Sequence, residues 1–258
     1  MVVAAGLVDA RELSGQGFHR RLLTALSLRL PASGALAGPA PPRCQVVLRE
    51  RLERTTYVDL DEVAELRRLA VPRVPDVEPL GFRAAAMDVE RPAEASEARE
   101  LAVASSAVEA ALGPGGGLEV RAAFELPVHL RYQRPSAELE FRPATLSTPR
   151  TAWVACRRET SPGEAGGAAR LREALPLLGA LERGPVATLA DAWGPWSPVP
   201  LAGGEDSVVA YVPVGSLTVE RPVIVGTALI AVFGALVLAG LALKPLLGAP
   251  RSAKAKAS

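Results

Sequence analysis

The sequence predicts a mainly β protein: an antiparallel, β-sandwich-like domain held on one C-terminal transmembrane helix. Two observations carry this. Several short β-rich segments recur at near-regular spacing, separated by Gly, Pro and Ser turn signals. A run from Pro222 to Leu243, PVIVGTALIAVFGALVLAGLAL, contains no charged residue. At about 1.5 Å of rise per residue that run spans a hydrocarbon core of about 30 Å, and core helices of soluble proteins rarely hold so long an unbroken apolar stretch.

Charge sets an orientation. Every Asp and Glu lies at or before Glu220, whereas the tail after the span carries Lys244, Arg251, Lys254 and Lys256. Positive charge next to a span marks the cytosolic side. The expected organisation is therefore type I: an N-terminal segment 1–16, a lumenal β-rich domain 17–221 with an irregular insert at 159–206, a transmembrane helix 222–243, and a cytosolic basic tail 244–258. Segment 1–16 carries no clear signal peptide, because MVVAAGL lacks a basic start and Asp9 interrupts the apolar run. Either an upstream segment belongs to the protein or the span is a tail anchor with a cytosolic domain.

Composition narrows the function. With 29 basic and 28 acidic residues the chain has no basic surplus for nucleic acid. It contains no Asn, hence no N-glycosylation acceptor. Its two cysteines, Cys44 and Cys156, both precede the span, and in an oxidising lumen they are expected to form a disulfide, the other reading being two buried thiols. The two histidines, His19 and His129, do not space with the cysteines as a zinc site does, and the sequence calls for no metal or other cofactor.

In chain order, Phe18–Leu30 reads as a strand followed by the flexible, Pro-rich PASGALAGPAPP. Cys44–Arg54 reads as a second strand on its Val-Val-Leu run, although Leu48, Glu50, Leu52 and Arg54 do not form a clean apolar face. In LDEVAELRRLA, Asp59 or Asp61 caps a short helix. Val71–Pro79, with three prolines, must be extended. Gly81–Glu90, Glu100–Leu112 and Leu118–Gln133 read as strands, with Ala102–Ala111 ambiguous because alanine favours helix. Ala137–Phe141, Thr151–Cys156 and a final Ser207–Glu220 complete the set. Between them, Arg170–Leu181 is compatible with a short helix, and Trp193 and Trp196 either sit at a membrane interface or pack as an ordinary loop.

No catalytic constellation emerges. Gly113–Gly117 (GPGGG) lacks the lysine and helix start of a phosphate loop, and there is no G-x-S-x-G elbow. In a strand, His129, Arg131 and Gln133 share one face and Leu130, Tyr132 and Arg134 the other. His129 and Arg131 either contact a partner or satisfy a buried polar network. Within the span, Thr227, Ala231, Ala235 and Ala239 recur every fourth residue with Gly234 beside them, a stripe of small residues suited to packing against another membrane helix.

Four blocks resemble a known family in its own order: Gly17-Phe18-His19-Arg20 with Leu22-Leu23 and Cys44; Tyr57-Val58-Asp59 with Glu62 and Leu66-Arg67; Leu126 through Ser136, LPVHLRYQRPS; and Val212-Pro213-Val214-Gly215 before the span. They are similar to the PIG-X family, phosphatidylinositol-glycan biosynthesis class X. That resemblance implies a non-catalytic endoplasmic reticulum subunit. Its partner would be the catalytic subunit of glycosylphosphatidylinositol (GPI) mannosyltransferase I, which adds the first mannose of the anchor. His129, Arg131, Tyr132, Arg134 and the helix stripe are the candidate partner contacts. The alternative class is an autonomous membrane-bound glycosyltransferase or other lumenal enzyme. Lys254 and Lys256, third and fifth from the C-terminus, resemble a K-x-K-x-x retrieval signal for the endoplasmic reticulum.

Overall fold

The computed structural model describes residues 4–31, 42–80, 88–105, 107–113, 116–157, 193 and 196–247. Lys254, Lys256 and Arg170–Leu181 lie outside them. The described chain separates into two units, a β-domain ending at Val214 and a second unit comprising Pro135–Glu140 and Gly215 onward.

The β-domain is one sheet whose two halves face each other across a common core. The first half contains β1 (Ala5–Ser14), β2 (His19–Leu30), β4 (Thr56–Tyr57), β7 (Ala107–Leu112) and β8 (Leu118–Leu130). The second contains β3 (Arg43–Leu52), β5 (Asp76–Leu80), β6 (Arg99–Ala104), β9 (Phe141–Ser147), β10 (Thr151–Arg157), β11 (Ser197–Ala202) and β12 (Ser207–Pro213). All pairings are antiparallel except the seam between the halves, where Gly6 and Leu7 of β1 run parallel to Leu201 and Ala202 of β11. A glycine is required there: a Cβ on Gly6 would fall 2.6 Å from Leu201 Cδ2 and 2.7 Å from Leu28 Cδ2.

Alternation explains the long strands. Along β8, Leu118, Val120, Ala122, Phe124, Leu126 and Val128 point inward and pack with Leu22, Leu26 and Leu28 of β2 and with Val46, Leu48 and Leu52 of β3. Pro127 is tolerated in this central strand for a geometric reason. The Glu125 N–H points away from β2 to the Arg73 carbonyl, so position 127 also points that way. On that side β8 has no strand partner between Ala123 and His129.

The face of β3 is cleaner than its sequence indicated. Cys44, Val46, Leu48, Glu50 and Leu52 all turn inward, and Glu50 breaks the apolar pattern because Arg11 meets it. Arg11 of β1 and Glu50 have side-chain exposures of 2% and 3%. Besides its ion pair with Glu50, the guanidinium donates to Thr24 Oγ1 at 2.8 Å and to the Ser147 carbonyl at 2.7 Å. It thus joins β1 and β2 to β3 and β9 through the core. Burial raises the Glu50 pKa, with Arg11 pulling the other way.

The expected disulfide is present: Cys44 and Cys156 are register partners on β3 and β10 and are bonded. The one α-helix among the described residues of the β-domain, α1 (Leu60–Arg68), is capped by Asp59, whose carboxylate accepts from the Asp61 N–H at 2.9 Å and the Glu62 N–H at 3.4 Å.

Several elements differ from expectation. The chain joins the sheet before residue 17, through β1. Glu100–Leu112 is two strands: Ser105 gives its N–H to Val46 and its hydroxyl to the Ala123 carbonyl, and the chain passes from one half to the other. Ala102 and Ala104 are strand residues because β6 is paired on both sides, by β3 and β5, which outweighs alanine's helical preference. Ala137–Phe141 is not a strand. The Ser136 hydroxyl accepts from the Glu138 and Leu139 N–H groups, folding a local turn that delays β9 to Phe141. The expected strand over Gly81–Glu90 falls largely on residues that are not described, and 88–90 is not strand. Ser197–Ala202, expected as part of the insert, is β11. The final strand stops at Pro213. Trp196 is buried at 4% exposure, which places it in the loop packing and not at a membrane surface.

In the second unit, a 3₁₀ turn at Leu217–Val219 leads into α2 (Glu220–Leu247). The apolar stretch Leu217–Leu243 is long and apolar enough to cross a membrane, with a mean hydropathy of 2.5. Segment Pro135–Glu140 is tied to the root of this helix: Ser136 donates its N–H to the Gly215 carbonyl at 2.9 Å and accepts from the Leu217 N–H at 3.1 Å.

Candidate functional site

The blocks singled out in the sequence converge on one end of the β-domain. The register sets His19 of β2 opposite His129 of β8, and Tyr57 of β4 opposite the same His129 on its other side. The β8 end is therefore sandwiched between the first residues of β2 and the short strand β4. The His129 ring stacks on Tyr57 (centroids 4.9 Å apart, 17° between planes) and meets the His19 ring edge-on at 4.6 Å. Its Nε2 lies 2.5 Å from Glu62 Oε2, which α1 delivers one turn after the Asp59 cap.

Arg131 lies over the same Tyr57 ring that stacks on His129, its guanidinium 4.6 Å from the ring centroid, and its Nη1 donates to the Asp88 and Arg91 carbonyls, both at 2.7 Å. The backbone follows: the Arg131 N–H bonds the Thr55 carbonyl at 2.8 Å and the Tyr132 carbonyl accepts from the Ala93 N–H at 3.0 Å. His129 and Arg131 are 7% and 6% exposed, whereas Tyr132 is 71% exposed and Arg134 is also on the surface. Tyr132 packs its ring on Phe18 at 4.7 Å.

The electrostatics suit a closed network. Burial raises the Tyr57 pKa, only partly offset by the Arg131 charge, so its hydroxyl stays neutral. Burial lowers the Arg131 pKa, opposed by Tyr57 and Asp88, and the guanidinium remains a cation over the ring. Chemically, the arrangement fixes a strand end, a helix start and the 88–93 loop to one another. Glu62 beside His129 has the form of a carboxylate orienting an imidazole. Among the described residues no group of three or more His, Cys, Asp or Glu side chains could hold a metal ion.

The remaining candidates lie on α2. Thr227, Ala231, Ala235 and Ala239 are exposed and, at four-residue spacing, form a slowly slanting stripe with Gly234 beside it. Sequence reasoning missed the role of Phe18, Tyr57 and Glu62 as the partners of Tyr132 and His129, though all three stood in the blocks that carried the resemblance. It also missed Asp88 and Arg91, which act through backbone carbonyls and leave no side-chain signal.

A β-domain followed, among the described residues, by one apolar helix able to cross a membrane points to the class of membrane-anchored β proteins. The model of the PIG-X / PBN1 family matches residues 15–243, and the chain belongs to that family, a family of accessory subunits associated with GPI mannosyltransferase I. The matched region takes in β2 to β12 and the apolar helix, leaving β1 just outside it. No curated protein matches the chain, and no solved structure does.

Proposed function

We propose that this protein is the non-catalytic, stabilising subunit of GPI mannosyltransferase I in the endoplasmic reticulum membrane. It binds the multi-span subunit that transfers the first mannose from dolichol-phosphate mannose. The observation that carries this reading is the extent of the family match, which runs through the β-domain and the apolar helix together. The burial of His129 and Arg131 in internal bonds supports it, because the polar groups best suited to chemistry are occupied in holding the fold.

The anchor is type I in this proposal, with the domain 17–221 lumenal and the basic tail 244–258 cytosolic. The partner packs along Thr227, Ala231, Gly234, Ala235 and Ala239, where small side chains let helices approach closely. Arg134 contributes the exposed contact of the β-domain. Lys254 and Lys256 retrieve any subunit that escapes to the Golgi.

Co-purification from detergent-solubilised membranes, with identification of the bound chain, tests the proposal. The expected result is a stoichiometric multi-span mannosyltransferase whose recovery falls when Ala231 and Ala235 are both replaced by Leu. Recovery of this chain without any such partner contradicts it.

A further inference from the structure

The aromatic side chains of the β-domain fall into two groups. Phe124, Trp153 and Trp196 are buried, and Phe18 and Tyr57 are partly so. Tyr132, Phe141 and Tyr211 are 71%, 53% and 65% exposed, the only exposed aromatic residues of that domain among those described. Their places along the chain coincide with its connections to the anchor-bearing unit. The chain passes between the units after Arg134, Glu140 and Val214. Tyr132 precedes the first of these points by two residues, Phe141 follows the second directly, and Tyr211 precedes the third by three.

The strands β8, β9 and β12, on or next to which the three lie, share one small apolar cluster. Leu130 of β8, Ala144 of β9, and Ala210 and Val212 of β12 pack together, with Phe18 against them. Tyr132 lies two residues past Leu130 and stacks on Phe18. Phe141 and Tyr211 lie on the outward face of the β9–β12 pair, where the register Tyr211↔Pro143 and Pro213↔Phe141 makes them diagonal neighbours.

We propose that this end of the β-domain docks onto the surface of the bilayer that α2 crosses, with Tyr132, Phe141 and Tyr211 seated in its headgroup layer. The occupant follows from reach and chemistry. Tyr211 stands six residues before Leu217, where the apolar stretch begins, a chain reach of at most about 20 Å. The other two connections are shorter in effect, because Ser136 is hydrogen-bonded to Gly215 and Leu217 at the helix root. Tyrosine suits that layer, with an apolar ring and a hydroxyl that stays wet. The charges of the same stretches balance, Arg134, Arg142 and Arg221 against Glu138, Glu140 and Glu220, so the surface is matched to zwitterionic lipid and its docking is independent of salt. This proposal rests on the apolar helix and not on the identity of the mannosyltransferase partner.

The test uses the full chain, with its disulfide intact, in phosphatidylcholine nanodiscs. Nitroxide labels are placed through Tyr132→Cys, Phe141→Cys and Tyr211→Cys, and at two exposed controls far along the chain from the connections, Leu69→Cys and Leu112→Cys. Relaxation by oxygen, which concentrates in lipid, is compared with relaxation by a water-soluble nickel chelate. The expected result is an oxygen-to-nickel ratio several-fold higher at the three aromatic positions than at the controls, unchanged from low to high salt, in variants whose melting temperature stays near the parent's. Five alike, water-like ratios overturn the proposal. So does shielding of the three positions from both reagents only after the catalytic subunit is added, which would assign the surface to a protein partner.

Discussion

At the centre of the β-domain, Arg11 and Glu50 pair at side-chain exposures of 2% and 3%, and the guanidinium also donates to Thr24 and the Ser147 carbonyl. At its end, His129 and Arg131 are nearly as buried, but their partners reach outward in steps: Tyr57 and Glu62 are partly exposed, and Tyr132 is open to solvent. The central set joins the two halves of the sheet and has no route to the surface. The end set joins a strand end, a helix start and a loop, then continues into exposed aromatic side chains. Polarity inside this domain therefore does two jobs. At the centre it links the two halves, and at the end it ties a strand end, a helix start and the 88–93 loop together.

The comparison breaks most sharply at Glu50. Replacing it with Ala leaves the Arg11 charge buried without its partner and should cost about 3–5 kcal/mol, whereas the double variant Arg11→Met/Glu50→Leu should be near neutral or more stable than the parent. Chemical denaturation of the three proteins checks both numbers, and a double variant as unstable as Glu50→Ala would contradict this account. The pair also has a pH signature. Because burial raises the Glu50 pKa, its contribution is fully present below the ordinary value of 4.5 and is lost as pH rises through the folded value. Glu50→Gln, which does not titrate, should lose less stability than the parent over that rise.

Next in size is the disulfide. Replacing Cys44 and Cys156 with Ala should cost about 2–4 kcal/mol, since the bond closes a long loop between residues 112 apart. A melting temperature within error of the parent's would show the strand pairing of β3 and β10 to be sufficient.

Arg131→Leu sharpens the contrast at the other end. It deprives the Asp88 and Arg91 carbonyls of their donor, at a cost of about 1–3 kcal/mol. Proteolysis should speed up at 88–93, where the central pair has no influence. Smallest in stability is Arg134→Ala, expected within about 0.5 kcal/mol of the parent because the side chain is exposed. The same variant should lower recovery of the mannosyltransferase partner.

Much of this architecture is legible in the residues. The apolar run before Lys244, the Asp59 cap and the alternation of β2 and β8 each follow from one local rule, and the Cys44–Cys156 bond pairs the only two cysteines of the sequence. What was hidden depends on residues far apart. Strand β1, AGLVDARELS, carries an inward Arg11 that reads as surface until Glu50 is placed against it. In β11, SPVPLA, Pro198 and Pro200 argue against a strand. They are tolerated because the Leu201 N–H points to the Arg150 carbonyl beside β10, so the prolines face the side where β11 has no partner before Leu201. The candidate site was half legible: its blocks stood out, but the burial of Arg131 depends on the distant carbonyls of Asp88 and Arg91.

Mannose transfer from dolichol-phosphate mannose to the acceptor lipid, measured with this chain alone, the multi-span subunit alone and both together, tests the central claim most directly. The account predicts no turnover by this chain alone, and a multi-span subunit that turns over for longer and accumulates to higher levels when this chain is present. Turnover by this chain alone, abolished by His129→Ala in a protein that still folds, would contradict it and make the pairing of Glu62 and His129 catalytic.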